Sequence, residues 1–91
     1  MIEITSVHLV GGTDHQHISE LKWKNTTTAS EGASSRQQLV DWLTVQSNQA
    51  IVRSGAASAF VGVVRPVNGL PYVRTYEDGV WTDNLLALPR Y

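Results

Sequence analysis

Side chains that could ligate a metal ion lie together in one predicted turn. Asp14, His15 and His17 follow a glycine pair, and His8 lies on the preceding predicted strand. Neutral imidazoles and a carboxylate can bind zinc or a similar divalent ion, and an extended His15-x-His17 segment would place both rings on one side. Because no distant fourth ligand is evident, we favour the alternative that His8 is a hydrogen-bonded sheet residue and the others cap the turn. We predict no metal and no cofactor.

Arginine and aromatic residues share the predicted strands. An aromatic ring can stack on a base, and an arginine can bond a phosphate through two N–H groups. The alternative is structural, with the tryptophans in the core and Arg74 paired with Asp83. The residues concerned are Arg53, Arg65, Arg74 and Arg90, with Trp23, Tyr72, Tyr76 and Trp81.

Covalent catalysis finds little support in the sequence. No serine or threonine lies in a nucleophile elbow, and histidine and aspartate occur together only beside Asp14. Among possible paired carboxylates, Asp78 is needed by a turn and Asp83 by Arg74. We therefore predict that the protein is not an enzyme. A metal-dependent enzyme centred on Asp14, His15 and His17 is kept as a third hypothesis.

Length and charge limit the class of protein and the kinds of partner. The 91 residues indicate a single domain, 1–91, and the absence of cysteine excludes disulfides. A net charge of −1, from seven basic and eight acidic residues, argues against a nucleic-acid polymer and a polybasic membrane anchor. Low charge with a large apolar fraction favours a homo-oligomer. No signal peptide or membrane-spanning run is visible, so we expect a cytoplasmic protein.

The elements that must position these residues are strands and one helix. Runs of β-branched and alternating apolar residues predict strands, and the polar segment 25–33 is predicted to be a surface loop. In the fourth strand Gly62 indicates a bulge or a close backbone approach. The predicted strands are 2–10, 18–24, 50–53 and 59–65, followed by a hairpin over 72–84.

The helix is predicted from its cap and its apolar stripe. Ser34 or Ser35 begins it, since each is followed three residues later by glutamine in a capping box. Leu39, Trp42 and Leu43 share one face with Gln46, and the helix is expected to end near Ser47-Asn48. This stripe should cover the sheet.

The hairpin is the clearest local pattern. Asp78-Gly79 suits a two-residue type I′ turn, which makes Tyr76 face Trp81 and Arg74 face Asp83. All four side chains then lie on one face, and the apolar segment 85–88 folds back onto the domain. We predict an α+β fold: a small, mostly antiparallel sheet of about five or six strands, with one helix packed on one face.

Two segments resemble a known family. The run from Arg74 to Pro89, with Asp-Gly-x-Trp-Thr-Asp-Asn-Leu-Leu, and the run from His8 to Gly12 with the following histidines are similar to a domain-of-unknown-function family of small bacterial and phage-encoded proteins. The resemblance covers nearly the whole chain and implies no established activity. Phages encode proteins of this size that sequester nucleotide immune signals, and the analogy is one of size and context. We therefore expect the protein in the cytoplasm of a bacterial cell or of a phage-infected host cell.

The leading hypothesis is a non-catalytic module that binds a small anionic or nucleotide-like molecule between subunits. The alternative is a protein–protein interaction or scaffold module that uses a sheet edge or Leu85–Leu88. The residues predicted to bind the ligand are Arg74 and Trp81, with Tyr76, His8, His17 and Asn84.

Overall fold

A computed structural model describes residues 1–45, 48–55 and 57–91, without the side chains of Val45 and Ser54. Within these ranges, seven strands form one sheet accompanied by one α-helix and one short 3-10 turn. The strands are β1 (Ile2–Leu9), β2 (Ile18–Asn25), β3 (Glu31–Ser35), β4 (Ala50–Ser54), β5 (Ala57–Val64), β6 (Tyr72–Glu77) and β7 (Val80–Thr82). The helix α1 spans Arg36–Val45, and the 3-10 turn spans His15–His17.

The sheet is mixed. Its strand order is β3-β2-β1-β4-β5-β6-β7, and every neighbouring pair is antiparallel except β1 with β4. The chain leaves β3, passes through α1 and returns beside β1, so β1 and β4 run in the same direction. The α+β class with one helix is confirmed, whereas the prediction of about five or six mostly antiparallel strands is wrong. Within the described residues, the sheet has seven strands and is mixed.

The additional strand is β3, which lies partly in the predicted loop. Asn25 Oδ1 accepts hydrogen bonds from the backbone N–H groups of Thr27 and Thr28, at 2.8 and 3.1 Å, and this turn leads the chain back along β2. Gly32 of β3 pairs with Trp23 of β2, and Trp23 Nε1 donates to Ser34 Oγ at 3.0 Å. Small residues such as Gly32 suggested a loop, but in the strand they leave room for the indole ring of Trp23 to lie over them.

The helix begins at the predicted capping box. The backbone N–H of Gln38 donates to Ser35 Oγ at 3.1 Å, and that of Ser35 donates to Gln38 Oε1 at 2.9 Å. Of the two predicted caps, the structure therefore selects Ser35. Leu39 is buried, while Trp42 and Leu43 are half-buried against the core, as the stripe predicted. The helix was predicted to end near Ser47-Asn48. Gln46 and Ser47 lie outside the described residues, and Asn48 is not helical.

The helix covers one face of the sheet. Leu39 and Val40 belong to the same buried cluster as Val61 of β5 and Val73 of β6. Side chains alternate between faces along a strand, so Phe60 and Tyr76 leave the opposite face. The other residues buried in this cluster are Ile2, Ile4, Val7, Ile18, Leu21, Ala50, Val52 and Leu85.

The β6–β7 hairpin has the predicted register. Tyr76 pairs with Trp81, and Thr75 pairs with Thr82. Asp78 and Gly79 have φ values of 51° and 78°, which are the two positive values that a type I′ turn requires. Thr75 is fully buried, and its Oγ1 lies 2.6 Å from Thr82 Oγ1. The local turn chemistry is thus sufficient to determine this pairing.

The C-terminal segment returns to the domain, as predicted. Leu85 is fully buried, and Leu86 and Leu88 pack against the core cluster. On the side of β1 away from β2, the N–H of Val7 donates to Pro89 O at 3.0 Å, and the N–H of Tyr91 donates to Val7 O at 3.2 Å. None of the helices in the described part of the chain has the length and apolar character needed to span a membrane.

Candidate functional site

Three aromatic side chains form a row on the face opposite the helix. Phe60 pairs with Tyr76, which pairs with Trp81, so the rings lie side by side across β5, β6 and β7. The Phe60 and Tyr76 rings are stacked with centroids 6.1 Å apart, and Tyr76 meets Trp81 edge-on at 5.8 Å. Their exposed fractions are 41%, 38% and 43%. We call Phe60, Tyr76 and Trp81 the aromatic row.

Gly62 lets these rings lie close to the backbone of β5. A Cβ atom at this position would lie 3.1 Å from Tyr76 Cδ1 and 3.2 Å from Trp81 Cη2, closer than most real contacts. The predicted close approach is therefore confirmed, with ring atoms as the approaching group. Phe60 was not among the predicted site residues, because β5 and β6 are joined by the loop 65–71, and its Asn68-Gly69 turn does not fix the register across so long a connection.

Arg74 lies beside the row and is already paired. Arg74 lies on β6 and pairs with Gly62 of β5. Its Nη2 lies 2.8 Å from Asp83 Oδ1. Its Nε donates to the carbonyl oxygen of Thr82 at 3.1 Å. The predicted pairing of Arg74 with Asp83 is confirmed. The carboxylate of Asp83 balances the positive charge of the guanidinium. Nη1 of Arg74 has no hydrogen-bond partner within the described ranges.

The 3-10 turn brings His15 to the Arg74–Asp83 pair. Only 8% of His15 is exposed, and its Nε2 lies 3.9 Å from Asp83 Oδ1. This nitrogen is buried and has no hydrogen-bond partner among the described residues. Burial lowers the pKa of His15, and the guanidinium of Arg74 lowers it further, against the opposing effects of Asp83 and Asp14. The uncharged form of His15 is therefore favoured.

A polar cavity of about 310 Å³ opens at this junction. It brings together the β1–β2 connection, the start of β6 and the segment after β7, which are far apart in sequence. The lining contains one arginine and two aspartates beside the neutral imidazole. We call it the His15 pocket; it is lined by Asp14, His15, Gln16, Tyr72, Arg74, Asp83 and Leu86.

His15 and His17 do not point to one side, so that expectation is wrong. The segment is a 3-10 turn rather than an extended strand. The N–H of Asp14 donates to His17 Nδ1 at 3.2 Å, and the His17 ring lies against Gly12, where a Cβ atom would be only 2.6 Å from Nδ1. His17 therefore caps its own turn. The described residues contain no group of three or more His, Asp or Glu side chains that could hold a metal ion.

The other two predicted ligand residues make contacts that hold the fold together. His8 Nδ1 contacts the carbonyl oxygen of Tyr91, and the two rings are 5.5 Å apart, so His8 helps to hold the C-terminus. The backbone N–H of Asn84 donates to Thr75 Oγ1 at 3.2 Å and closes the hairpin. The structure thus places Arg74, Tyr76 and Trp81 side by side. His8 and His17 lie away from them, and Asn84 follows Asp83 and bonds Thr75 through its backbone N–H.

These features define a class: a small α+β domain with one helix on a mixed sheet and aromatic side chains on the uncovered face. The chain belongs to a family of proteins of unknown function, DUF3892, whose sequence profile matches residues 3–89. The resemblance to a domain-of-unknown-function family is thereby confirmed. No curated protein and no solved structure matches the chain.

Proposed function

We propose that the protein is a non-catalytic module that binds a small nucleotide-like molecule, with the base lying on the aromatic row. The observation that carries the proposal is the row itself. Three adjacent rings, each about two-fifths exposed, stand on the face of the sheet opposite the buried cluster. Large exposed aromatic patches on a small domain are uncommon outside binding surfaces.

Stacking on a sheet is an effective way to bind a base. A base on an aromatic ring contributes about 1–3 kcal/mol, and sheet-borne aromatic residues stack bases in common RNA-binding modules. A nucleic-acid polymer requires a basic surface, however, and the chain has a net charge of −1. The combination favours a small ligand over a polymer.

The polar groups beside the rings support binding rather than catalysis. Arg74 bonds to Asp83 and to the backbone of Thr82, so the pair is held in place, and Nη1 is the donor left for a ligand. In a phage-encoded protein, binding without turnover would serve to sequester a nucleotide immune signal. A second copy packed against the uncovered face would complete the binding site, which is why we also propose a homo-oligomer.

A titration of the purified chain with nucleosides and nucleotides, followed by calorimetry and thermal denaturation, tests the proposal. We expect saturable binding of at least one ligand, and at least a tenfold loss of affinity in Trp81→Ala, which corresponds to about 1.4 kcal/mol. Tyr91→Ala is the matched control. Tyr91 is 39% exposed but packs over Lys22 at the other end of the sheet, so its removal should leave affinity unchanged. Equal binding by wild type and Trp81→Ala would contradict the proposal.

One observation favours a second candidate, a protein–protein interaction module. Val80 is 64% exposed beside Trp81 on β7, a strand at the edge of the sheet. A partner strand could add to this edge and cover both side chains. The Leu85–Leu88 segment gives this candidate no support, because its leucines pack into the core. Stoichiometric capture of one protein that Val80→Lys abolishes, with no small molecule released on denaturation, would favour it.

A further inference from the structure

The His15 pocket contains a buried polar atom that no described residue satisfies. His15 Nε2 is enclosed at the wall of the pocket, 3.9 Å from Asp83 Oδ1 and without a hydrogen bond within the described ranges. An unsatisfied buried nitrogen typically costs about 1–3 kcal/mol. Because buried polar groups in folded proteins are nearly always satisfied, this nitrogen calls for a bound group or a functional role.

The lining combines hydrogen-bond acceptors with one strong donor. Asp14 and Asp83 offer carboxylate oxygens, and Arg74 offers its remaining guanidinium N–H groups. Neutral His15 offers one N–H and one lone pair, and Tyr72 carries a hydroxyl group that can both donate and accept. The pocket therefore suits a ligand group that donates to a carboxylate and accepts from a guanidinium at the same time.

Charge and bonding capacity disfavour two simpler ligand groups. A phosphate would meet two carboxylates for one guanidinium. An ammonium group only donates, so it would leave the free N–H groups of Arg74 without an acceptor. Hydroxyl groups carry no charge and both donate and accept. Two adjacent hydroxyls can bond a carboxylate and an arginine side by side, and the cavity of about 310 Å³ is at the lower end of the range for small-molecule sites, roughly 300–1,000 Å³.

The pocket adjoins the aromatic row. Tyr72, Arg74 and Tyr76 are alternate residues of β6, so their side chains leave the same face of the sheet. Asp83 follows β7, the strand that carries Trp81. A molecule whose flat ring lies on the row can therefore reach the pocket with the group attached to that ring.

From this arrangement we propose that the His15 pocket binds vicinal hydroxyl groups, as in the ribose of a nucleoside whose base lies on the aromatic row. The inference rests on the proposed function and makes it more specific. The ribose, rather than the phosphate, is the part recognised by Arg74 and Asp83. Adding a phosphate to the ligand should therefore contribute little to affinity.

The test compares each of the four ribonucleosides with its 2′,3′-dideoxy counterpart and with the free base, by calorimetry on the full chain. We expect the dideoxy compound to bind wild type at least tenfold more weakly than the ribonucleoside. In Asp83→Asn this preference should fall to less than threefold. Asp41→Asn, which removes a carboxylate on α1 outside the pocket, should keep the full preference.

The possible results separate the two proposals. Binding of ribonucleoside and dideoxynucleoside with equal affinity by wild type would overturn the hydroxyl-binding assignment and leave the aromatic row as a base-binding surface. Failure of every nucleoside and free base to bind would overturn the hydroxyl-binding assignment, and failure of the nucleotides as well would overturn both. The comparison of ligands on wild type needs no variant, so it remains decisive even if Asp83→Asn is unstable.

Discussion

Toward the two ends of the sheet, an indole ring lies over a glycine, and the two arrangements differ in what surrounds them. Trp23 of β2 covers Gly32 of β3, is half-buried, and donates its Nε1 hydrogen to Ser34. Trp81 of β7 reaches over Gly62 of β5, is 43% exposed, and has no hydrogen bond from its Nε1 among the described residues.

The surroundings explain the difference. The ring of Trp23 lies on the helix side and lines a cleft with Leu39 and Trp42 of α1. The ring of Trp81 lies on the face that the helix leaves open, next to Tyr76 and Arg74. A strand glycine lies beneath an indole ring at both ends of the sheet. Trp23 contributes to core packing, whereas Trp81 presents a flat surface to solvent. This contrast supports treating Trp23 as structural and Trp81 as a candidate ligand contact.

The largest effect expected from this comparison is on stability. A Cβ atom at Gly32 would lie 2.6 Å from Trp23 Cζ2, so Gly32→Ala requires a packed ring to move and should lower the free energy of unfolding by about 2 kcal/mol. Gly62→Ala requires shifts of only a few tenths of an ångström in exposed rings, and should cost less than about 1 kcal/mol. Urea denaturation of both variants measures the difference.

The two glycine variants are matched controls for each other. Both residues lie in strands, and neither has a positive φ, so the loss of backbone freedom on substitution is similar. If Gly62→Ala proved as destabilising as Gly32→Ala, the rings of the aromatic row would be packed rather than free to adjust. The distinction between the two ends of the sheet would then be lost.

A smaller effect is expected from pH, and it concerns the β6–β7 end. Because the pKa of His15 is lowered in the folded state, the unfolded chain takes up a proton below about 6.5 that the folded chain resists. Stability should therefore fall as pH decreases from 6.5 toward the lower folded pKa, and this contribution should be fully present above 6.5. Denaturation at several pH values between 5 and 7.5 measures it.

His15→Gln should remove that pH dependence, while His17→Gln serves as the control and should retain it. A His15→Gln slope identical to that of wild type would mean that the pKa of His15 does not change on folding. That result would also weaken the case for a buried, neutral imidazole at the wall of the pocket.

The parts of the fold that follow from short-range chemistry could be predicted from the sequence. Asp78-Gly79 determined the register that places Tyr76 opposite Trp81, and Ser35 with Gln38 marked the start of the helix. The strand β3 could not be predicted, because its signal is the ring of Trp23 on a different strand. The parallel pairing of β1 with β4 likewise depends on where the helix returns the chain.

The candidate site divides in the same way. Arg74, Tyr76 and Trp81 belong to one hairpin, so their proximity was predictable. Phe60 joins them only through the β5–β6 register, and His15 only because the β1–β2 connection crosses to β6. The pattern around His15 suggests a metal ligand in its own turn, and nothing local to that turn indicates Arg74 and Asp83 as its neighbours.

The most direct test of the central claim uses the indole N–H signals of the three tryptophans in a proton–nitrogen NMR spectrum, assigned with Trp81→Phe. During titration with the ribonucleosides, a base stacked on the aromatic row should shift the Trp81 signal saturably. The signals of Trp23 and Trp42 should remain in place and act as internal controls. A Trp81 signal that stays unchanged at saturating ligand, or a shift confined to Trp23 and Trp42, would contradict the account.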